Sequence, residues 1–140
     1  MRPLRALSAC VLLAGTCFAG SCATNSTLEP PPKPIPECTD SITIFVSADT
    51  IPTFTWMPEC KIGRLIVEEV VEERWGTETF EHTNSWAPPI VYGIHPPGSE
   101  NLEPAQPLYI GTTYRVSAYR WIDPADPEGF QLIGEREFTP

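Results

Sequence analysis

Apolar and polar residues alternate with the two-residue period of β-strands from residue 41 to residue 58. Two runs in this stretch, SITIFVS and TFTWMP, are rich in β-branched and aromatic residues, and ADTIP between them is typical of a turn. These runs predict a β-hairpin, which we centre on Asp49. The apolar residues of one face then pair across the strands, Ile42 with Trp56, Ile44 with Phe54 and Val46 with Pro52.

The same hairpin register predicts where two cysteines lie relative to each other. Cys38 and Cys60 are equidistant from Asp49 and share the parity of the apolar face. We therefore expect them to meet at the open end of the hairpin and to form a disulfide bond. Closing a loop of this length stabilises the fold by about 3 kcal/mol, because it lowers the entropy of the unfolded chain.

The segment GRLIVEEVVEERW fits two periods. The spacing of one helical face fits Val67, Val70, Val71 and Arg74, whereas the dense β-branched residues are typical of a strand. The segment follows a hairpin and precedes WGTETFEHT, which is typical of a returning strand. We predict a strand from Arg64 to Glu69 and a turn from Glu72 to Gly76, and a helix is the alternative.

The rest of the chain continues in short β-segments. PPIVYGIHPPG predicts a short strand between prolines, and the residues from Pro96 to Pro107 predict a loop. A long strand follows, with Tyr114, Val116 and Ala118 pointing inward. DPADPEG predicts a turn, and FQLIGEREFT a last strand with Phe130, Leu132 and Phe138 on one face. About seven strands in roughly 100 residues predict an all-β sandwich.

Three motifs resemble those of fibronectin type III and immunoglobulin-like domains: FTW, LIV and LYIGTTYRVSA. Trp56 matches the tryptophan of the second strand in these families, and Tyr114 matches the tyrosine that begins the sixth. The resemblance implies a sandwich of about seven strands and a tyrosine corner, in which Tyr114 bonds back to the backbone near Leu108. A disulfide between Cys38 and Cys60 departs from the family pattern, because immunoglobulin domains bridge their two sheets.

The N-terminus has the pattern of an export signal. Two arginines precede an apolar run from Ala6 to Phe18, which is shorter than the roughly 20 residues of a membrane-spanning helix. Small residues then precede Cys22, in a sequence that resembles the lipobox of bacterial lipoprotein precursors. The resemblance implies cleavage after residue 21 and acylation of Cys22, with outer-membrane localisation because no aspartate follows. One alternative is a lipobox in LAGTC that ends at Cys17, where Thr16 suits the cleavage site less well. The other is ordinary secretory cleavage near Ala19 to Ala23, with a free or intermolecularly bonded Cys22.

Proline-rich sequence follows the predicted cleavage site. The run from Asn25 to Glu37 has almost no apolar residues, and its prolines favour an extended polyproline II stalk. We therefore predict a signal peptide at residues 1–21, a lipidated linker at 22–37 and a β-sandwich domain at 38–140.

Charge narrows the classes of partner. All 18 acidic residues follow Cys22, against seven basic ones, so the mature chain carries a formal charge of about −11 (7 − 18). Such a chain repels phosphate backbones, and we expect no nucleic-acid binding. Part of the charge is a run that we interpret as a solvated strand edge: Glu68, Glu69, Glu72 and Glu73.

Candidate chemistry is sparse. The sequence has two histidines, His82 and His95, and no serine or cysteine in a recognisable nucleophile motif, so we expect no enzymatic activity. We expect no cofactor or metal; a calcium ion is the strongest alternative, held by oxygen ligands in the DPADPEG turn: Asp123, Asp126 and Glu128. Zinc at the two histidines ranks below it, because no accompanying ligand motif is present.

Aromatic residues give the best candidates for binding. Arg115, Tyr119 and Trp121 share the outward parity of the long strand, and an exposed row of this composition is typical of interaction hot spots. A cover over Trp121 by a neighbouring strand or loop is the alternative. We predict a lipid-anchored envelope interaction or structural module with a protein or glycan partner. The alternatives are a carbohydrate-binding module that uses these aromatics and a secreted sandwich without a lipid anchor.

Overall fold

A computed structural model describes residues 31–70 and 72–140. The predicted signal peptide, Cys22 and most of the predicted linker lie outside these residues. The described residues contain no helix, and therefore none that could span a membrane. They form eight strands: β1 (Thr43–Val46), β2 (Thr53–Met57), β3 (Arg64–Glu69), β4 (Glu72–Thr79), β5 (Ile90–Val91), β6 (Ser99–Glu103), β7 (Tyr114–Trp121) and β8 (Phe130–Phe138).

Two antiparallel sheets pack face to face. The smaller sheet has the order β1-β2-β5, and the larger has the order β6-β4-β3-β7-β8. The prediction of an all-β sandwich is confirmed, with eight strands where the pattern predicted about seven. The constant-type immunoglobulin layout puts its first, second, fourth and fifth strands in one sheet, whereas here β4 lies in the larger sheet. Here β6 adds an edge strand beside β4, and membership of that family stays a prediction.

The core lies between the sheets and is dominated by aromatic side chains. Trp56, Trp75, Phe54 and Tyr114 are almost fully buried, and the Phe54 and Trp75 rings stack with their centroids 6.5 Å apart. The Trp56 indole N–H donates to the carbonyl of Cys60 at 2.8 Å, so its polar atom is satisfied. Side chains of this size bury enough apolar surface to hold a small sandwich together.

The first hairpin forms on the predicted face but in a different register. Ile44 pairs with Trp56 and Val46 with Phe54, so each partner lies two residues from its predicted position. A shift of two residues keeps every side chain on the same face of the strand. The hydrophobic alternation therefore fits both registers equally, and it fixed the face without fixing the partners.

Cys38 and Cys60 form the predicted disulfide, with their Cα atoms 4.9 Å apart. The reason for their proximity differs from the predicted one. The Cys38 N–H donates to the carbonyl of Lys61 at 2.9 Å, and Glu37 forms a parallel bridge with Lys61. The entering chain is thus paired with the segment after β2, beyond the end of the β1–β2 ladder.

The strand from Arg64 to Glu69 is confirmed, and the turn predicted from Glu72 to Gly76 is wrong. Glu69 pairs with Glu72, so the chain has already reversed direction where β4 begins. Glu72 and Gly76 lie within β4, where Trp75 is fully buried. Val70 has a φ of 56°, a left-handed conformation that costs a β-branched residue free energy.

Two predictions near the end of the chain are also corrected. The loop from Pro96 to Pro107 contains β6, whose sequence SENLE lacks a strand pattern because this edge strand is held by backbone pairing with β4. In β8 the register shifts opposite Ala118 and Tyr119, so Ile133 points into the core and Leu132 is exposed. Leu132 therefore does not share the inner face with Phe138, which packs against the core.

The strands place their connections at two ends of the sandwich. The chain enters at the end formed by Pro36, the β2–β3 connection, the β4–β5 loop and the β7–β8 loop, which we call the entry end. The β1–β2, β3–β4 and β6–β7 connections form the far end. At the far end the N–H of Tyr109 donates to the Tyr114 hydroxyl at 2.9 Å, so the predicted backbone bond of Tyr114 is present.

Candidate functional site

The structure separates the three residues predicted to form an exposed binding row. Arg115 lies near the far end, in ion pairs with Glu68 and Glu137 at 3.6 Å each. Tyr119 is half-buried, with its ring 5.4 Å from that of Phe130 in an edge-to-face contact. Trp121 is only 5% exposed. The prediction of an exposed aromatic row is therefore wrong, and the alternative of a covered Trp121 is the arrangement present.

Trp121 is covered by the β4–β5 loop. The His82 ring stacks on the indole with centroids 4.2 Å apart, and the indole N–H donates to Thr79 Oγ1 at 3.1 Å. The side-chain amide of Asn84 accepts the backbone N–H of Trp121 at 2.8 Å and donates to the Trp121 carbonyl at 3.0 Å. Position 63 must be glycine, because a Cβ there would overlap the indole. The buried indole of Trp121 thus fixes the position of the His82 ring that stacks on it.

His82 lies in a group of three side chains with metal-ligand chemistry, which we call the acid–histidine cluster: Glu78, His82 and Glu100. One ligand atom from each lies within 4.8 Å of the other two. Glu78 and Glu100 are direct cross-strand partners on β4 and β6, so the sheet itself brings their carboxyl groups together. His82 reaches them from the β4–β5 loop with a φ of 51°.

Glu78 is the most buried member, at 7% exposure. Burial raises the pKa of Glu78, the guanidinium of Arg64 opposes that rise, and the neighbouring Glu100 adds to it. Arg64 Nη1 lies 3.4 Å from Glu78 Oε2, and its guanidinium carbon lies 4.2 Å from the centre of the Phe130 ring. This corner of the larger sheet therefore combines one buried carboxyl group with a neighbouring guanidinium.

The residues proposed for calcium have a different role. The carboxylates of Asp123 and Asp126 accept backbone N–H groups two residues further on, from Ala125 at 3.0 Å and Glu128 at 2.9 Å. These bonds are those of Asx turns, in agreement with the predicted turn. Among residues 31–70 and 72–140, the ligand atoms of Asp123, Asp126 and Glu128 are not gathered into a metal-ligand group.

His95 lies apart from His82, in a surface cleft of about 500 Å³ beside β5. Prolines and apolar side chains line this cleft, including Trp86, Ile94 and Pro97. The His95 ring lies 6.3 Å from Trp75, and Nδ1 is 3.4 Å from Thr77 Oγ1. The cleft has the shape of a small ligand site but brings few polar groups together.

The far end carries exposed apolar side chains on three neighbouring connections. Val70 and Ile110 are each 82% exposed, and Ile51 and Tyr109 are each more than half exposed. The β1–β2 and β6–β7 connections share a shallow cleft lined by Ile51 and Leu108, and a second one joins Val70 to Thr113. We call these four side chains, Ile51, Val70, Tyr109 and Ile110, the far-end surface.

Comparison with protein-family models, with curated proteins and with solved structures gave no match. The functional argument for this chain therefore rests on its own geometry.

Proposed function

We propose that this chain is a lipid-anchored protein of the cell envelope that binds a partner protein through the far-end surface. Cys22 would carry the lipid, and the proline-rich stalk would hold the sandwich away from the membrane. The role is binding rather than catalysis.

The exposure of Val70 and Ile110 at one end is the observation that supports this role. Each leaves 82% of its surface in water, where a polar residue would be better solvated. Val70 also has a left-handed backbone conformation that asparagine or glycine would adopt at lower cost. A residue that is both strained and apolar at an exposed turn is typical of a surface retained for binding.

The position of the surface fits display from an anchor. Pro36 and Glu37 bond the entry end, through Lys61 and Asn84, so the stalk joins the sandwich at the end away from Val70 and Ile110. A domain held in this way presents its far end outward. The chain is acidic overall, so we expect a partner with an apolar contact patch and a rim that is neutral or basic.

A photo-crosslinking residue at Tyr109 tests the proposal. Benzoyl-phenylalanine replaces one exposed aromatic ring by another, and the full chain is irradiated in the envelope of the cells that make it. We expect a discrete crosslinked protein band, which weakens at least tenfold when Ile110→Asp is added, because a buried charge opposes apolar contact.

Phe45 provides the matched control, since it is 49% exposed and lies within β1, on the strand face turned away from the core and outside the far-end surface. Benzoyl-phenylalanine at Phe45 should give no such band. Equal crosslinking from both positions, or a band from Tyr109 that persists with Ile110→Asp, would contradict a specific far-end surface.

The carbohydrate-binding alternative loses its proposed residues. Trp121 is covered by His82 and Tyr119 packs edge-on against Phe130, so neither offers a free ring face of the kind on which sugars stack. We therefore propose a protein partner.

A further inference from the structure

We propose that the acid–histidine cluster of Glu78, His82 and Glu100 binds a divalent transition-metal ion, with Zn²⁺ as the ion that suits this ligand set. The site is independent of the far-end surface, because it lies at the entry end of the larger sheet.

The ligand geometry is the first support. One atom from each of the three side chains lies within 4.8 Å of the others, a separation that an ion with bonds of about 2.0–2.2 Å spans after small rotations of the side chains. Imidazole suits zinc, copper, nickel and iron, whereas calcium and magnesium prefer oxygen ligands alone. His82 and Glu100 are half-buried, so water can complete the coordination.

The second support is a buried carboxylate oxygen that has an ion-pair partner but no hydrogen bond. Glu78 is 7% exposed, and its Oε2 accepts no hydrogen bond from any residue in 31–70 and 72–140. Arg64 lies 3.4 Å from this oxygen but without hydrogen-bond geometry. A buried carboxylate oxygen left in this way costs free energy, and a cation in the cluster would remove that cost.

The ring of His82 is held in an orientation that suits a metal ligand. Its Nδ1 lies 3.3 Å from the carbonyl oxygen of Pro124, which can only accept a hydrogen bond. Nδ1 is therefore the donor in this contact, and Nε2 is the ring nitrogen left to face a metal ion. A bond from the other ring nitrogen to a backbone carbonyl is a common feature of metal-binding histidines, and the stacked indole of Trp121 fixes the ring plane.

Charge also favours a cation. Glu78 and Glu100 bring two carboxyl groups to the site, and Arg64 brings one guanidinium. The Arg64 guanidinium packs over the Phe130 ring at 4.2 Å and is thereby partly engaged elsewhere. A bound ion would connect β4, β6 and the β4–β5 loop, and it would hold the entry end together.

Zinc titration of the full chain tests the site. The protein is made without a histidine tag, stripped with EDTA and titrated with Zn²⁺ by calorimetry and by thermal melting. We expect one Zn²⁺ per chain and a rise in Tm of about 10 °C when free Zn²⁺ is about 100 times the Kd. Binding of Ca²⁺ alone, or no rise in Tm with Zn²⁺, would overturn the proposal.

Two substitutions locate the ion. His82→Asn removes the imidazole but keeps a residue that tolerates a positive φ, and Glu100→Gln removes one charge from an exposed edge strand. Each should raise the Kd for Zn²⁺ by about 10-fold or more. Circular dichroism confirms that each variant is folded.

His95→Gln is the matched control, because it removes the other histidine of the chain and leaves the cluster intact. We expect its Kd for Zn²⁺ to equal that of the wild type. If His95→Gln weakens binding as much as His82→Asn does, or if neither substitution in the cluster changes the Kd, the ion binds elsewhere and the proposal is wrong.

Discussion

Glu73 shows how one residue can couple stability to pH in this fold. Its side chain folds over Gly76, where a Cβ would overlap Oε1, and Oε1 accepts no hydrogen bond from the described part of the chain. Burial raises the pKa of Glu73, and so do the nearby carboxylates of Glu68 and Glu103, while Arg64 lowers it. The folded chain therefore binds this proton more tightly than the unfolded chain does.

The sign of the pH effect follows from linkage. A raised pKa in the folded state means that Glu73 destabilises the fold progressively as the pH rises from the unfolded pKa through the folded pKa. Glu73→Gln removes this titration, so its free energy of unfolding should gain on the wild type between about pH 4 and pH 7. Urea denaturation of both proteins at several pH values measures the difference. A difference that stays constant or shrinks as the pH rises would contradict the assignment.

The surroundings of three site residues, Trp121, Glu78 and Glu100, could not be predicted from the sequence. Strand alternation placed Trp121 outward correctly, but it carried no information about the loop that folds back over that face. The cluster partners Glu78 and Glu100 are separated by 22 positions (100 − 78) and become neighbours only when β6 pairs with β4. Because β6 has no apolar pattern, no feature of the sequence predicts that pairing.

At the scale of elements, the β3–β4 hairpin combines good strands with a poor turn residue. Val70 occupies a left-handed conformation that most hairpins assign to asparagine, aspartate or glycine. The side chain is exposed, so its removal costs almost no buried surface. The strands on either side are fixed by five-stranded pairing, which explains how the turn tolerates the valine.

Val70→Asn should therefore stabilise the fold, by about 1 kcal/mol, because asparagine adopts this conformation at lower cost. Urea unfolding measures the gain. Ile110→Asn is the control, since Ile110 is equally exposed and has no positive φ, and we expect its effect to lie within about 0.5 kcal/mol of zero. A loss of stability in Val70→Asn that exceeds the change in the control would contradict the strain argument.

Elements were predictable where side chains decide them. The face of β1 and β2, the limits of β3 and the inward residues of β7 follow from alternation, which reflects burial on one side of a sheet. Alternation is the same in two registers that differ by two residues, so it could not reveal the correct β1–β2 register. It also does not reveal the bulge in β8. The Glu72–Gly76 turn was mispredicted because its glutamates suit a turn, whereas the alternate residues Trp75 and Thr77 belong to the core.

At the scale of the whole molecule, covalent chemistry would connect the sandwich to the membrane. The anchor rests on Cys22, which lies outside the described residues, and the disulfide uses Cys38 and Cys60. These predictions are separable, because one concerns attachment and the other concerns folding.

Intact mass spectrometry of the mature protein measures both. We expect a chain that begins at Cys22, with the added mass of a diacylglyceryl group and the loss of two hydrogen atoms for one disulfide. Cys22→Ser should move the protein from the membrane fraction to the soluble fraction without changing the Tm of the sandwich.

Cys17→Ser is the control, since this cysteine precedes the predicted cleavage site and should leave attachment unchanged. If membrane attachment survives Cys22→Ser but is lost in Cys17→Ser, the lipid is on Cys17 and the prediction for Cys22 is wrong.

The bridge between Cys38 and Cys60 also decides where mechanical force would travel. Tension applied through the stalk first meets the fold at Glu37 and Cys38, next to Lys61. The sulfur–sulfur bond links this point covalently to Cys60, which leads into β3 in the middle of the larger sheet, so β1 and β2 lie in a closed loop outside that covalent path. A tethered domain built in this way can be pulled by its anchor without its first hairpin being peeled away.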